Sequence, residues 1–529
     1  MDIEPPVTTL RPPEGLFDKR SGLSFRVQES IHGHRFLNEQ DAYMVVLETL
    51  SVCRSRPLGS VRTNGDEHEK IGYEVPVLRK LRYLLFEDRH LEEIAADETI
   101  PHTERWRRWK KAASHAFPDG DDAPHERHFD YLDAIFEEDF DALLQAVRLA
   151  RSLEIDVIHS RRWSSRFLAP TGPELLLHDF DVPSKDWSPD RRFFGRGGEI
   201  VYLMLNRSAN PSQLASLIEQ RLLSRTDPMN MVARALRDPS EAGENPENPR
   251  KKNLSIGYLP MASHPAYDRM AQDWTALLSL DRLPSTHLFE PLFRITGLNL
   301  VRYLAERAAE VCGAPTESIL ADFTDGEQKS LRTRSKDSLN RHRTRADDAV
   351  RIHIEETLNA SPDWAEALKS SSKGKAARVL QDLFALKKPD DTLSPEKQKR
   401  ALIADAQGRS KNNANAYILK LAKDVGLATA RQRVGAWFAV DDAMLTALVL
   451  ANVEESLELG EFTQRIHERY GIIAGPDEAR AAYRQLPVDV EELEANLSAL
   501  EARMTGLGLT QRLSDDCAFV FNPYRSHHE

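Results

Sequence analysis

The sequence has few cysteines and no long hydrophobic run. Its three cysteines, Cys53, Cys312 and Cys517, lie far apart in 529 residues and form no CxxC pair, so neither a disulfide framework nor a zinc site is implied. No stretch approaches the roughly 18 apolar residues that span a bilayer. The first residues, MDIEPPVTTLRPPEG, lack the basic-then-apolar order of a secretory signal. We therefore expect a cytoplasmic protein with no membrane partner.

The common catalytic motifs are also missing. There is no GxxxxGK[ST] phosphate loop, no GxGxxG dinucleotide motif, no HExxH zinc helix and no GxSxG nucleophile turn. Two histidine pairs, His32 with His34 and His125 with His128, resemble metal spacings only loosely and have no third ligand in evidence. We therefore predict no metal ion and no cofactor, and we favour a function other than catalysis.

Length and periodicity predict a mainly α, multidomain fold. A chain of 529 residues exceeds the size at which a single core stops growing, about 250 to 300 residues. Apolar residues recur at spacings of three and four in most segments, including 75–88 and 129–153, which indicates helices. We predict a helical N-terminal domain with an acidic segment (1–155), a central mostly helical domain with an Arg/Gly-rich turn (156–325), a basic helical or linker region (326–411) and a winged-helix-like α+β domain (412–529).

The last predicted domain has the clearest architecture. Helical patterns in DDAMLTALVLANVEESL, EFTQRIHERYG and DVEELEANLSALEARMTGLG precede a hairpin signal in LTQRLSDDCAFVFNP. Helix, helix, helix, hairpin is the order of a winged helix, whose third helix usually reads the DNA major groove.

The third helix of this predicted winged helix is acidic. It carries Asp489, Glu491, Glu492, Glu494 and Glu501, with no base before Arg503. Phosphates would repel such a face, so we predict that the module binds a partner protein. Better candidates there for nucleic-acid contact are Arg431, Arg433, Arg512 and Arg525.

The net charge of −12 conceals a strong asymmetry. Residues 117–141 hold ten acids against one base, and residues 329–345 hold seven bases against one acid. The basic segment contains Lys329, Arg332, Arg334, Lys336, Arg341, Arg343 and Arg345. A helix that is basic over several turns can follow a phosphate backbone. The segment lacks interleaved aromatic residues, which argues against stacking on single-stranded bases. We therefore predict contact with DNA, in double-stranded form; the alternatives are a solvated face or a partner for the chain's own acidic stretch.

The stretch DRRFFGRGGEIVYLMLNRS, residues 190–208, places arginines and glycines before an apolar helix. Glycines permit a tight turn, and Glu199 complements the positive end of the helix dipole. A possible anion site comprises Arg161, Arg162, Arg166, Arg191, Arg192 and Arg196. The alternative partners of these arginines are nearby acids, namely Asp179, Asp181, Asp186 and Asp190.

A divergent metal-dependent nuclease or phosphodiesterase is the alternative function. Such enzymes need two or three carboxylates that converge on Mg²⁺. The stretch ELLLHDFDVPSK supplies Glu174, Asp179, Asp181 and Lys185. Acids beside a lysine are common on protein surfaces, so this spacing is not diagnostic.

Three stretches together carry a resemblance to a known group of proteins. They are RRFFGRGGEIVYLMLNRS, IGYLPMASHPAYDRMAQDW and the ending that contains ERYGIIAGPDEA and LGLTQRLSDDCAFVFNP. In general pattern, over most of the chain, they resemble large bacterial proteins encoded in anti-phage defence gene clusters. The resemblance implies an accessory subunit without an active site. Its implied partners are other defence-complex proteins such as an ATPase, a methyltransferase or a nuclease.

Overall fold

The computed structural model describes residues 10, 22–33, 40–60, 72–115, 128–155, 166–178, 195–241, 251–512 and 518–525. Helices dominate these residues and the strands are few and short, so the prediction of a mainly α fold is confirmed. None of the helices within these ranges is long and apolar enough to cross a bilayer.

The N-terminal half consists of twelve described helices and one antiparallel strand pair. The helices are α1 (Gly22–His32), α2 (Ala42–Ser55), α3 (Arg79–Arg82), α4 (His90–Ala96), α5 (His102–Ser114), α6 (Asp133–Phe136), α7 (Phe140–Arg151), α8 (Gly197–Asn206), α9 (Pro211–Arg221), α10 (Pro228–Leu236), α11 (Pro265–Leu278) and α12 (Ser285–Val311). Strand β1 (Gly72–Pro76) pairs with β2 (Lys251–Ser255).

The C-terminal half adds nine helices and the remaining described strands. The helices are α13 (Lys329–Asn359), α14 (Pro362–Lys369), α15 (Lys373–Phe384), α16 (Pro395–Ser410), α17 (Ala414–Asp424), α18 (Asp442–Asn452), α19 (Leu459–Tyr470), α20 (Pro476–Ala482) and α21 (Val490–Gly506). The strands are β3 (Ile319–Leu320), β4 (Ala428–Arg431), β5 (Gly435–Phe438), β6 (Leu457–Glu458), β7 (Ile472–Ile473), β8 (Thr510–Arg512) and β9 (Ala518–Val520).

These strands form three small sheets. Strands β3 and β7 pair in parallel, whereas β4 and β5 form an antiparallel hairpin. The third sheet has the antiparallel order β6-β9-β8, so the pairing predicted for the C-terminal hairpin is confirmed.

Helix α12 lies at the centre of the largest hydrophobic core. It packs against α2, α11, α13, α17 and α18. Trp274 of α11 is fully buried there, and its indole N–H donates to the hydroxyl of Thr296 at 2.9 Å. The same core includes residues from α2 near one end of the chain and from β9 near the other. Helices drawn from all four predicted domains therefore share one core, and the predicted boundaries themselves stay a prediction.

Two of the predicted helices are interrupted. Within 75–88, the chain is still in strand β1 at Val75 and Pro76, and helix begins only at Arg79. Within 129–153, Glu137 and Glu138 have left-handed backbone angles, with φ of 51° and 59°, and these separate α6 from α7. Left-handed residues cannot continue a right-handed helix, so the break between α6 and α7 has a local backbone cause. The late start of α3 has a different cause, because Val75 and Pro76 pair with β2.

Candidate nucleic-acid interface

The basic segment forms the first half of α13, as the sequence predicts. This helix is not a solvated rod, because it packs against α12, α16, α17 and β5. Its apolar side chains Leu331, Leu339, Val350 and Ile354 are all buried. The packing determines which neighbour each cation contacts. Six of the seven predicted cations divide into two groups with different electrostatic surroundings, and the seventh, Lys329, is exposed.

The first group of cations donates to uncharged acceptors. The Nη1 of Arg332 donates to the carbonyl of Gly326 at 2.7 Å. The Nζ of Lys336 donates to the carbonyl of Val434 at 2.7 Å, and Nε of Arg343 donates to Oδ1 of Asn415 at 2.9 Å. A carbonyl or amide oxygen orients a cation without cancelling its charge. These three side chains are therefore held in place and stay electrostatically positive.

The second group pairs with carboxylates. Nε of Arg341 lies 3.0 Å from Oε2 of Glu317, and Nη2 of Arg345 lies 3.2 Å from Oε1 of the same carboxylate. Arg334 lies 3.7 Å from the carboxylate of Asp337. Two carboxylates therefore oppose these three arginines, and this group has less net positive charge to offer an external anion than the first group has. Lys329 is exposed at the beginning of α13.

The β4–β5 hairpin extends the first group of cations. Residues 431–434 form its turn, in which the backbone N–H of Val434 donates to the carbonyl of Arg431 at 3.1 Å. Arg433 in this turn is exposed and has a left-handed φ of 68°. The guanidinium of Arg431 donates to the carbonyl of Asp325 at 2.7 Å and lies 5.5 Å from the ring centroid of Trp437.

A left-handed backbone is disfavoured for any residue that has a Cβ, so Arg433 occupies the hairpin tip at some conformational cost. We call the set formed by Lys329, Arg332, Lys336, Arg431 and Arg433 the hairpin surface. Asp325 and Glu327 are exposed acids in the adjoining loop. The five cations outnumber these two acids, so the surface keeps a positive excess. The sequence identified all five of these cations but not their convergence.

The predicted anion site lies partly outside the described residues, because the structure does not describe Arg161, Arg162, Arg191 or Arg192. Arg166 is half exposed and lies 3.4 Å from the carboxylate of Glu154. Arg196 precedes α8 with φ of 75°, and its Nε lies 3.9 Å from Oε2 of buried Glu199.

A buried carboxylate occupies the beginning of α8. Glu48 of α2 accepts from the backbone N–H of Arg196 at 3.0 Å and from that of Gly198 at 2.8 Å. The backbone N–H of Gly197 donates to Oε1 of Gln40 at 3.0 Å. Glu48 therefore supplies the negative charge that a helix N-terminus favours. These three backbone amides are therefore occupied by side chains of the protein itself. No local sequence pattern marks Glu48 for this role.

Of the four predicted nuclease residues, only Glu174 lies within the described residues, so their assembly stays untested. Glu174 is 3% exposed, and its Oε1 lies 2.9 Å from Nη1 of Arg237. Arg54 donates to the neighbouring carbonyl of Pro173 at 2.7 Å, and burial lowers the pKa of Arg54 to about 10. Asp179, Asp181 and Lys185 lie outside the described residues.

Within the described ranges, no group of three or more His, Cys, Asp or Glu side chains is placed to hold a metal ion. His32 and His128 are buried, whereas their predicted pair members His34 and His125 lie outside those ranges.

The C-terminal unit, comprising α18–α21 with β6, β8 and β9, is anchored to the central helices by a buried polar cluster. Asp273 of α11 is fully buried and accepts from Asn299 at 2.6 Å, from the hydroxyl of Tyr470 at 2.9 Å and from the guanidinium of Arg469. Arg469 and Tyr470 end α19. This cluster fixes the unit on α11 and α12.

The acidic face of α21 remains accessible at Asp489, Glu491 and Glu494. Two further acids of this helix bind neighbouring side chains: Glu492 accepts from the hydroxyl of Ser330, and Glu501 lies 3.1 Å from Arg512. Arg503 pairs with Asp442. The exposed part of the helix is therefore negative.

No protein-family model matches the chain, and the search of curated proteins found no significant match.

Proposed function

We propose that this protein is a non-catalytic nucleic-acid-binding adaptor that holds double-stranded DNA on the hairpin surface. The main support is the orientation of Arg332 and Lys336 by backbone carbonyls. Both side chains lie next to the β4–β5 turn with its exposed arginines. Cations without carboxylate partners attract phosphates, and each neutralised phosphate releases counterions from DNA.

The shape of the hairpin surface supports duplex DNA as the ligand. A two-stranded ribbon fits the major groove of B-DNA, and Arg433 lies at the tip of such a ribbon. Helix α13 presents Lys329, Arg332 and Lys336 at intervals of three and four residues, which places them along one helix face. On this proposal the hairpin enters the groove while the helix contacts the flanking phosphates.

The C-terminal unit supports the adaptor half of the proposal. Its order of α18, β6, α19, α20, α21, β8 and β9, with the sheet order β6-β9-β8, supports a winged-helix fold with one additional short helix. The acidic exposed side of α21 suits a partner protein with a basic surface better than DNA. The resemblance to accessory proteins of anti-phage defence clusters suggests an ATPase, methyltransferase or nuclease as that partner.

A titration of a fluorescent DNA duplex at about 50 and 200 mM salt tests the proposal. With five phosphate contacts, the logarithm of the affinity should fall with the logarithm of salt at a slope of about 4 to 5, since each contact contributes about 0.9. Arg431→Glu/Arg433→Glu should weaken binding at least about tenfold and reduce the slope by about 2.

The control is Arg234→Glu/Arg282→Glu, which reverses two exposed arginines that belong to neither α13 nor the hairpin. Circular dichroism verifies that both variants fold. The hairpin surface is rejected as the DNA site if the wild type binds the duplex at neither salt concentration. It is also rejected if the hairpin variant and the control variant lose the same affinity.

A further inference from the structure

A second cationic feature lies on α5, far from α13 in sequence. An open cleft of about 700 Å³ is lined by Trp106, Arg107, Arg108, Lys110, Lys111 and Glu138. Four of these six residues are cations and one is an acid. Two tryptophans, Trp106 and Trp109, interrupt the positive charge of this helix, so the sequence shows no continuous basic run here.

Carboxylates neutralise only part of the cleft. Lys110 lies 2.7 Å from the carboxylate of Asp130 and 2.5 Å from that of Asp133. Both acids belong to the acidic stretch 117–141, so the described part of that stretch forms ion pairs with α5. The cations of α13 pair instead with Glu317 and Asp337. Glu104 lies 3.0 Å from Arg108 and 4.0 Å from Arg107.

The remaining charge lies on the solvent side. The side chain of Arg107 is 81% exposed, and Lys111, one helical turn later, is also exposed. Like charges four residues apart destabilise a helix. Arg107 and Lys111 are such a pair, and Arg108 and Lys111 are a second like-charged pair, three residues apart. Two carboxylates, Glu104 and the lining residue Glu138, face the three cations Arg107, Arg108 and Lys111. The cations still outnumber the acids, so the cleft retains attraction for an anion.

The cleft suits a phosphate backbone rather than bases. Trp106 is 5% exposed and its indole N–H donates to Asp133 at 3.1 Å, so its ring is fixed in the wall and offers no open face for stacking. Arginine and lysine side chains remain as the contacting groups, and these bind phosphate oxygens through charge-assisted hydrogen bonds.

We propose that the α5 cleft is a second contact for the phosphodiester backbone of the nucleic acid, in which Arg107, Arg108 and Lys111 bind consecutive phosphates. The inference rests on the proposed function, because the ligand is the same DNA. The two surfaces share no residue, so variants separate them.

Two variants with opposite expected effects test the cleft in the full-length protein. Arg107→Glu/Lys111→Glu should weaken duplex binding about tenfold and lower the salt slope by about 2. Glu104→Gln removes the carboxylate shared by Arg107 and Arg108 and should strengthen binding by about twofold to threefold, with a steeper slope. Arg234→Glu/Arg282→Glu again serves as the control.

Lysine acetylation with and without duplex supplies a residue-specific readout. Bound DNA should protect Lys111 from acetylation, and it should protect Lys329 if the hairpin surface is also occupied. If bound DNA protects Lys111 but not Lys329 from acetylation, the hairpin surface is rejected and the cleft is supported.

The inference is overturned if Arg107→Glu/Lys111→Glu binds like the wild type and Lys111 stays reactive, while the hairpin variant still loses affinity. It is also overturned if an acidic peptide, poly-glutamate, protects Lys111 at concentrations where duplex DNA does not. That second outcome would assign the cleft to carboxylates of a protein.

Discussion

Arg332 and Arg431 donate to adjacent backbone carbonyls of one loop: Nη1 of Arg332 to Gly326 and Nη2 of Arg431 to Asp325, each at 2.7 Å. One arginine belongs to α13 and the other to β4, so the loop joins the helix to the hairpin. The two guanidinium groups are brought together without a carboxylate between them in these contacts. Because a carbonyl oxygen does not cancel the charge of its donor, both arginines keep their attraction for an anion.

The division of the α13 cations predicts different effects for two matched pairs of substitutions. Arg332→Gln/Lys336→Gln removes charges that neutral acceptors orient, and it should reduce the salt slope of duplex binding by about 2. Arg341→Gln/Arg345→Gln removes two arginines that share the carboxylate of Glu317. Because Glu317 already offsets one of the two charges, this variant should change the slope by about 1 at most. Anisotropy titrations over a range of salt concentrations measure both slopes, and equal slopes in the two variants contradict the division.

The close crossing of α2 and α8 predicts that Gly198→Ala is strongly destabilising. A Cβ at Gly198 would lie 2.5 Å from both Cβ of Glu48 and the carbonyl oxygen of Val45, and 2.6 Å from the backbone nitrogen of Thr49. Backbone atoms cannot move aside as a flexible side chain can, so we expect a loss of about 2 kcal/mol or more. Urea unfolding measures the free energy.

Gly408→Ala is the matched control, because Gly408 lies inside α16 with open space around its missing Cβ. Alanine there should stabilise the protein by up to about 1 kcal/mol through higher helix propensity. A stable Gly198→Ala variant would show that α2 and α8 pack less closely than the structure has them.

The sequence alone predicts most of the helices and identifies the cations. It does not predict which groups those cations contact. The whole of α13 is predictable because its charge and apolar spacing are local properties. The contact between Gly198 and Glu48 joins residues 150 positions apart, and no local pattern marks Glu48 as a capping group. Lys336 and Val434 are 98 positions apart, so the distinction between neutralised and open cations depends on tertiary packing.

The buried cluster at Asp273 predicts how firmly the C-terminal unit is attached. Asp273→Ala leaves Arg469 without its carboxylate and removes one acceptor each from Asn299 and Tyr470, which keep the carbonyl of Ile295 and the amide oxygen of Asn452, and it should cost about 3 kcal/mol or more. Asp281→Ala is the control, because Asp281 is 93% exposed and lies 3.7 Å from Arg221, and it should cost less than about 1 kcal/mol. Urea unfolding compares the two, and limited proteolysis should release the C-terminal unit first in Asp273→Ala. Equal stabilities would mean that this cluster does not anchor the unit.

Buried histidines predict acid lability. Burial lowers the pKa of His342 to about 4, and burial together with nearby positive charge lowers the pKa of His32 to about 3 and that of His353 to about 4. In the unfolded chain an imidazole has a pKa of about 6.5. Below that pH the unfolded state binds more protons than the folded state, so stability is complete above about pH 6.5 and falls as the pH drops toward 4.

His342→Gln isolates one of these groups. In the wild type the Nδ1 of His342 is 2.9 Å from the carbonyl of Ser338, and the ring packs edge-on against Phe438, so the substitution also costs some packing at every pH. Between pH 6.5 and 5, however, the wild type should lose about 2 kcal/mol more than the variant, since one extra proton changes stability by about 1.4 kcal/mol per pH unit. Urea unfolding at several pH values measures the difference, which should be constant from about pH 7.5 to 9, where the imidazole is neutral in both states. Parallel pH profiles down to pH 5 would show that His342 gains its proton as readily in the folded protein as in the unfolded chain, and that α13 opens to water around it.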